Sequence, residues 1–277
     1  MGIVTQNNKV IVVNGGALTC DGGGTADYKA FIERTITTPT LPSDLTTIAA
    51  YAFYNWSTLL LTSLPSGITS IGNSAFGGCT SLDLTSLPNG LTSIGTYAFW
   101  NCHSLTLSTI PSSVTSISSG AFQYCNSIET MTCEGALVNI SGNLFTGSST
   151  YPPIIREVYF PNQVGSVQAG AFGSTTVANA CQQLEIADIG KATYIYSNAF
   201  TNCYKLQTLI IRKTGSICNL SYANAFDNTP MSGYNSLTGT VYVPNALIST
   251  YQTATNWKTL YDAGYITFVK IEGSIYE

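Results

Sequence analysis

Charged residues are scarce in this 277-residue chain. Asp, Glu, Lys and Arg together make up 9% of the residues, against about 25% in an average protein. The formal net charge is −4, and no Lys/Arg cluster occurs, so the positive patch by which proteins bind nucleic acids is missing. The deficit argues against nucleic-acid binding and leaves Ser, Thr, Asn, Gly and Tyr to build most of the surface.

Long apolar segments are also missing. No run of about 18 apolar residues occurs, so we expect no transmembrane helix and no membrane insertion. The opening residues, MGIVTQNNKVIVVNGG, lack a basic region followed by a long apolar stretch, so they do not resemble a signal peptide. We therefore expect a soluble chain without a recognisable export signal, and whether a signal has been removed is left open.

Catalytic motifs are absent as well. His103 is the only histidine, so a Ser-His-Asp or Cys-His arrangement has a single candidate centre, and no acidic residue stands near it in sequence. No G-x-S-x-G, H-E-x-x-H or P-loop pattern occurs. The few carboxylates do not fall at matching repeat positions, which disfavours an acid–base pair. The sequence predicts that the protein is not an enzyme and needs no cofactor or metal.

What the chain does contain is a repeat. A Phe, usually preceded by Ala, recurs at intervals of 23 to 28 residues, and such a fixed period indicates a solenoid. The marks are Phe53, Phe76, Phe99, Phe122, Phe145, Phe172, Phe200 and Phe226. Because a single coil cannot bury its apolar face, we expect about eight coils to stack.

Each unit reads as one coil with three parts. The alternation in LDLTSLP (82–88) predicts a short strand, which Pro88 ends because proline cannot donate to a ladder. The segment LTSIG predicts a second short extended stretch. The segment TYAFWNC predicts a helical or 3₁₀ turn whose Ala-Phe pair fills the coil interior.

This unit resembles the BspA-type leucine-rich repeat, in the pattern L-x-x-Φ-x-Φ-P followed by I-x-x-x-A-F-x-x-C, over residues 36–245. The resemblance implies an α/β solenoid: a curved superhelix of about eight 23–28-residue coils with short parallel strands and short helical or 3₁₀ turns, capped at both ends. Two departures stand out. In the early units the first strand has the pattern L-x-L-x-x-Φ-P, and the later units contain insertions such as TGSSTYPP.

Three segments follow from this interpretation. Residues 1–35 are predicted to form an N-terminal cap, in which ADYKAFIERTI (26–36) reads as a short helix. Residues 36–236 form the solenoid. Residues 237–277 form a C-terminal cap of strand, helix and strand, the helix being NALISTYQTATNWKTLYDAG (245–264).

Four cysteines, Cys79, Cys102, Cys125 and Cys203, occupy one repeat position. Stacked residues in register lie about 4.8 Å apart and point the same way, which suits neither a disulfide nor a zinc site. We therefore predict buried thiols that act as apolar fillers. Whether any of the other cysteines, Cys20, Cys133, Cys181 and Cys218, form disulfides is left open.

Tyrosine is abundant, with 17 residues in a surface otherwise rich in Ser, Thr, Asn and Gly. That composition is typical of binding paratopes. Aromatic residues beside the Phe marks are predicted to form a partly exposed strip, and packing between adjacent turns is the alternative. The candidate binding residues are Tyr54, Tyr97, Trp100, His103 and Tyr124, although His103 also reads simply as a surface-loop residue.

The resemblance implies adhesion, since the family is common in surface proteins of gut and oral bacteria. We therefore predict a non-enzymatic recognition protein that binds a protein or glycan on a host or bacterial surface, in an extracellular or cell-surface setting. One alternative is a phage or prophage tail-associated receptor-binding module that is part of a virion. A second is an enzyme with a site in the inserted loops of residues 146–190.

Overall fold

The computed structural model describes residues 2–6, 9–14, 17–21, 37–38, 41, 43, 45–163 and 165–277. Within them the strands are β1 (Gly2–Gln6), β2 (Lys9–Asn14), β3 (Ala17–Asp21), β4 (Thr47–Ile48), β5 (Ser70–Ile71), β6 (Ser93–Ile94), β7 (Thr109–Ile110), β8 (Ser116–Ile117), β9 (Thr130–Cys133), β10 (Asn139–Ile140), β11 (Glu157–Tyr159), β12 (Ser166–Val167), β13 (Ile186–Asp188), β14 (Tyr194–Ile195), β15 (Thr208–Ile210), β16 (Asn219–Leu220), β17 (Gly239–Val243) and β18 (Ile266–Lys270). The α-helices are α1 (Ile248–Thr253) and α2 (Trp257–Asp262), with 3₁₀ turns at Val177–Asn179, Ala223–Phe226, Pro230–Ser232, Tyr234–Ser236 and Asn245–Leu247.

Two ladders of parallel strands follow the repeats, one from Thr47 and the other from Thr109 onward. One consists of β4-β5-β6-β8 and β10-β12-β14-β16, and the other is the seven-stranded sheet β18-β17-β15-β13-β11-β9-β7. Each coil adds one strand in register, as Ile71 does opposite Ile94. Parallel strands stacked coil upon coil form an open solenoid, which confirms the predicted fold class.

The N-terminal strands β1, β2 and β3 pair with one another in an antiparallel sheet. The helix predicted over residues 26–36 lies outside the described residues. The boundaries drawn at residues 35 and 236 stay predictions.

The strand predicted over residues 82–88 is wrong, because this segment has no regular ladder. Leu84 and Leu87 are both buried although they stand three positions apart, which a two-residue alternation cannot accommodate. Thr85 reaches the Thr62 carbonyl of the preceding coil with its N–H at 3.3 Å and with its hydroxyl at 3.4 Å. The strand ladder on this side starts one unit later, at Thr109–Ile110.

The eight repeated Phe rings form the centre of the core. Neighbouring rings are stacked with centroids 5.2 to 6.0 Å apart and planes within 14° of each other. All eight side chains are at most 3% exposed. Fully burying such a side chain contributes about 1.5–3 kcal/mol, so this column is a principal source of stability.

The Ala-Phe segment of a typical coil is a chain of consecutive tight turns. In the third unit, Ala98, Trp100 and Cys102 donate their N–H groups three residues back within the coil. The intervening Tyr97, Phe99 and Asn101 donate instead to carbonyls of the next coil. Both sets of backbone donors are thereby satisfied, as burial requires. In the last unit the corresponding segment is a 3₁₀ helix, Ala223–Phe226.

The C-terminal elements close the end of the Phe column. The Trp257 ring lies 6.0 Å from Phe226, and its Nε1–H donates to the Cys218 carbonyl at 2.8 Å. The single helix predicted over residues 245–264 is in fact a 3₁₀ turn followed by α1 and α2. The break falls before α2, where Asn256 has φ +65°, a left-handed conformation that no α-helix can contain.

Candidate recognition surface

Five of the described turn segments contain two residues with left-handed backbone, four positions apart. Gly and Asn are the residues that adopt this conformation most readily. The first ladder is Tyr51, Ser74, Tyr97, Gly120, Asn143, Gly170 and Asn198, and the second includes Asn55, Gly78, Asn101, Tyr124, Asn202 and Asn228. Tyrosine therefore stands at three positions where most coils use Gly or Asn, at a cost in backbone strain.

Two of the candidate rings lie over glycines of the next coil. A Cβ added to Gly120 would come 2.3 Å from Cε1 of Tyr97, and one added to Gly77 would come 3.1 Å from Cδ2 of Tyr54. The glycines thus leave room for the rings to lie against the neighbouring turn. Tyr97 remains 41% exposed despite this contact, so one face of its ring is open to solvent.

Trp100 and His103 follow Tyr97 in the same coil and lie beside Tyr124 of the next coil. The Trp100 and Tyr124 rings meet edge to face with centroids 6.1 Å apart. His103 Nδ1 lies 3.1 Å from the Tyr124 carbonyl oxygen and 3.0 Å from Asn126 Oδ1. Because a carbonyl oxygen can only accept, Nδ1 carries the proton, and Nε2 of a neutral ring is left as an acceptor.

Tyr151 joins this group and was missed by sequence analysis. Its ring stacks on His103 with centroids 3.9 Å apart and planes 26° apart, and it is 39% exposed. It comes from the insertion TGSSTYPP, and the single aromatic residue of that insertion was the only sequence feature that could have suggested it. Insertions break the 23-residue register, so the repeat pattern gave no way to place its ring.

The five predicted residues do not form one continuous strip. Trp100, His103 and Tyr124 come together, whereas the ring contact of Tyr54 is with Tyr51, at 5.6 Å. Glycine and serine at the intervening repeat positions separate these rings. We call Tyr51, Tyr54, Tyr97, Trp100, His103, Tyr124 and Tyr151 the aromatic turn surface.

The repeated cysteines are hydrogen-bond donors as well as fillers. Sγ of Cys79, Cys102 and Cys125 lies 3.0 to 3.1 Å from the carbonyl oxygen of the Phe in the preceding coil. Burial raises the pKa of Cys125 to about 12 and that of Cys102 well above its ordinary value. Seven cysteines of the described chain, Cys133, Cys181 and Cys218 among them, are buried thiols outside any disulfide.

A polar cluster on the outer face of the seven-stranded sheet was also missed. Tyr159 Oη donates to Glu157 Oε2 at 3.0 Å, and burial followed by this bond raises the pKa of Tyr159 to about 12. Asp188 accepts from Arg212 Nε at 2.7 Å and from Gly190 N–H at 2.9 Å. Burial raises the pKa of the Asp188 carboxyl, and these two donors offset part of that effect.

The inserted loops bound a groove rather than a recognisable catalytic centre. Glu129, Arg156 and Gln182 line it together with prolines 152 and 153, and these residues include no nucleophile–base pair. Across the described residues, no group of three or more His, Cys, Asp or Glu side chains could hold a metal ion.

A sequence model of the BspA type Leucine rich repeat region matches residues 25–152 and 153–249, in six copies. The chain belongs to the BspA-type leucine-rich repeat family. Leucine-rich repeats of this family are generally non-enzymatic and are typically protein-binding or surface-associated. A comparison with curated proteins found no match.

Three solved structures are similar to this BspA-type chain. A leucine-rich repeat protein from Bacteroides ovatus is 22% identical, with 94% of this chain and 67% of that one covered and a TM-score of 0.48. The T. pallidum leucine-rich repeat protein is 18% identical, with 84% and 88% covered and a TM-score of 0.39. A leucine-rich cell surface protein from Faecalibacterium prausnitzii is 17% identical, with 93% and 97% covered and a TM-score of 0.30. In the described part of this chain, no helix has the length and apolarity needed to cross a bilayer.

Proposed function

We propose that this protein is a non-enzymatic recognition module that binds a protein or glycan partner at a cell surface through its aromatic turn surface. The observation that carries the proposal is the left-handed tyrosine backbone at Tyr51, Tyr97 and Tyr124. Folding alone would favour Gly or Asn there, so these strained tyrosines, of which Tyr51 and Tyr97 are exposed, point to a role beyond packing.

The chemistry of the surface fits recognition. Tyr and Trp provide large rigid contact area at little entropic cost, and the surrounding Ser, Asn and Gly provide adaptable hydrogen bonds. The His103 ring and the Trp100 indole add polar ring nitrogens beside the tyrosines. A surface with so few charges suits a neutral polar partner better than a highly charged one.

The chain supplies its own matched variants for a test. Ser74, Gln123 and Asn101 occupy in neighbouring coils the positions of Tyr97, Trp100 and Tyr124. A triple variant Tyr97→Ser, Trp100→Gln and Tyr124→Asn therefore uses residues that the fold already accepts at these places. It removes three rings without changing the backbone pattern.

Purified protein would be screened against glycan arrays and against whole bacterial and host cells. We expect the triple variant to lose binding at least tenfold, because buried aromatic anchors are each worth about 2 kcal/mol or more. A control variant, Tyr196→Ser, removes an exposed ring elsewhere and takes the residue found at the equivalent Ser141, so it should bind as wild type does. Equal binding by the triple variant and the wild type would contradict the proposal.

A further inference from the structure

Two pairs of stacked aromatic rings stand at the same repeat position, four coils apart. In the first pair the Tyr151 ring, 39% exposed, stacks on His103 with centroids 3.9 Å apart. In the second pair the Tyr234 ring stacks on Tyr204 with centroids 4.9 Å and planes 14° apart, and both rings are half-buried. His103 and Tyr204 each directly follow the repeated cysteine of their coil. Both pairs therefore reach the surface on the same edge of the solenoid.

A groove of about 330 Å³ lies between the two pairs. Pro152, which lines it, directly follows Tyr151. Gln182, which also lines it, stands at the repeat position of Tyr204 one coil earlier. We call the two pairs and this groove the edge track. At about 4.8 Å per coil, the four steps from His103 to Tyr204 make the edge track about 20 Å long.

The groove presents side chains rather than free backbone groups. Arg156 N–H donates to the Glu129 carbonyl, and Glu185 N–H to the Arg156 carbonyl, both at 2.7 Å. These backbone groups join neighbouring coils and cannot pair with an added peptide strand. The lining supplies the amides of Gln182 and Gln183 together with one carboxylate and one guanidinium. Because the two charges have opposite sign, the groove suits an uncharged polar ligand.

We propose that the edge track binds an extended, uncharged chain of sugars that stacks on the ring pair at each end and bonds through its hydroxyls to the groove between them. A sugar ring offers an apolar C–H face to an aromatic ring and hydroxyls at its rim. Amide, carboxylate and guanidinium groups have the acceptors and donors that such hydroxyls pair with. A linear glycan repeats this combination in every unit, so one chain meets both ends of a 20 Å track.

This inference rests on the proposed function, since the first pair belongs to the aromatic turn surface. It goes further in two respects. It narrows the partner from a protein or glycan to a linear, uncharged glycan. It also extends the binding surface by the groove and by Tyr204 and Tyr234, so the ligand must have a minimum length.

The test is an array of linear neutral oligosaccharides, from disaccharides to octasaccharides, built from glucose, mannose, galactose or N-acetylglucosamine. Wild type should bind the longest chains at least about tenfold more tightly than the disaccharides, because only a long chain reaches both pairs. Tyr204→Gln takes the residue found at the equivalent Gln182 and should lose this gain with length. Tyr222→Ser is the matched control. It removes a 65% exposed ring elsewhere, takes the residue of the equivalent Ser141 and should behave as wild type.

The inference and the proposed function fail in different ways. Loss of all binding in the triple variant of Tyr97, Trp100 and Tyr124, with an undiminished gain with length in Tyr204→Gln, would support the aromatic turn surface and overturn the edge track. Loss of the gain in Tyr204→Gln, with wild-type binding by the triple variant, would support the edge track alone. Circular dichroism and melting curves show that each variant is folded.

Three further results would overturn the inference. The first is that folded wild type binds none of the sugar chains. The second is equal affinity of wild type for short and long chains, which would confine binding to one ring pair. The third is a decaproline peptide that wild type binds more tightly than any sugar chain and that Tyr204→Gln does not bind, which would make a polyproline segment the occupant.

Discussion

At the scale of single residues, the cysteines show how one side chain serves two purposes. The Phe99 carbonyl accepts the Cys102 N–H of its own coil at 3.2 Å and the Cys125 Sγ–H of the next coil at 3.0 Å. A carbonyl oxygen has two lone pairs, and this arrangement uses both. An aliphatic residue at this position would fill the space but leave one of them without a donor.

The thiols predict a specific dependence of stability on pH. In the unfolded chain a cysteine ionises near its ordinary pKa of 9.0, whereas folding raises that of Cys125 to about 12. The thiol therefore contributes its full stability below pH 9 and loses it as pH rises towards 12. At pH 10 the loss is about 1.4 kcal/mol for each such thiol.

Urea unfolding of wild type and Cys125→Ala at pH 7.5 and pH 10 measures this effect. Between the two pH values the variant should lose about 1.4 kcal/mol less free energy of unfolding than wild type does. Phe99→Leu, which is destabilised without losing a thiol, should show the wild-type loss. If Cys125→Ala lost as much stability as wild type, the result would contradict a raised pKa of the Cys125 thiol in the folded protein.

The same residues show what the sequence could reveal of the surface. The repeat position of the cysteines predicted their burial, but not their donor role, because donation depends on where the preceding Phe carbonyl points. Tyr97 and Trp100 were recognisable as aromatic residues outside the core positions. The left-handed backbone of Tyr97 could not be predicted from the sequence, because tyrosine, unlike Gly or Asn, does not favour that conformation.

At the scale of the structural element, the spacing between coils is set by a few close approaches. A Cβ added to Gly95 would lie 2.7 Å from the backbone nitrogen of Asn73 and equally close to its Oδ1. That Oδ1 already accepts Thr96 N–H at 2.9 Å. Glycine at position 95 therefore lets the Asn73 amide bridge the two coils.

Gly95→Ala is consequently expected to lower the free energy of unfolding by about 1–3 kcal/mol, as overpacking does. Ser118→Ala is the matched control, because Ser118 has the same repeat position and makes the same bond to the preceding coil but already carries a Cβ. It should change stability by less than about 0.5 kcal/mol. Chemical denaturation distinguishes the two variants, and equal losses would contradict this account of the coil contact.

Periodicity was sufficient to predict the elements that repeat and insufficient for those that do not. The 23-residue interval correctly located the Phe column and the LTSI strand ladder. Local apolar spacing gave two wrong predictions. At residues 82–88 the spacing changes from two to three, and at Asn256 a residue with positive φ divides the predicted helix. Both failures occur where a local backbone choice overrides an apolar pattern that otherwise looks regular.

At the scale of the whole molecule, a stack of coils is a nearly one-dimensional system. Each coil contacts its two neighbours through one Phe ring on either side, through the strand ladders and through the turn hydrogen bonds. Stability is then expected to be a sum of coil and interface terms. The Trp257 ring on Phe226 and the Tyr251 hydroxyl, which accepts the Cys218 N–H at 2.7 Å, act at one end of this stack.

Trp257→Ala should therefore destabilise the stack from that end. The variant removes the ring that covers Phe226 and the donor to the Cys218 carbonyl, and large-to-small changes of this kind cost about 3–5 kcal/mol. If coils couple only to their neighbours, hydrogen exchange measured by mass spectrometry should accelerate strongly around Phe226 and Phe200 and little around Phe99. Uniform acceleration along the whole stack would instead mean that the coils unfold together as one cooperative unit, and nearest-neighbour coupling would be the wrong description of this solenoid.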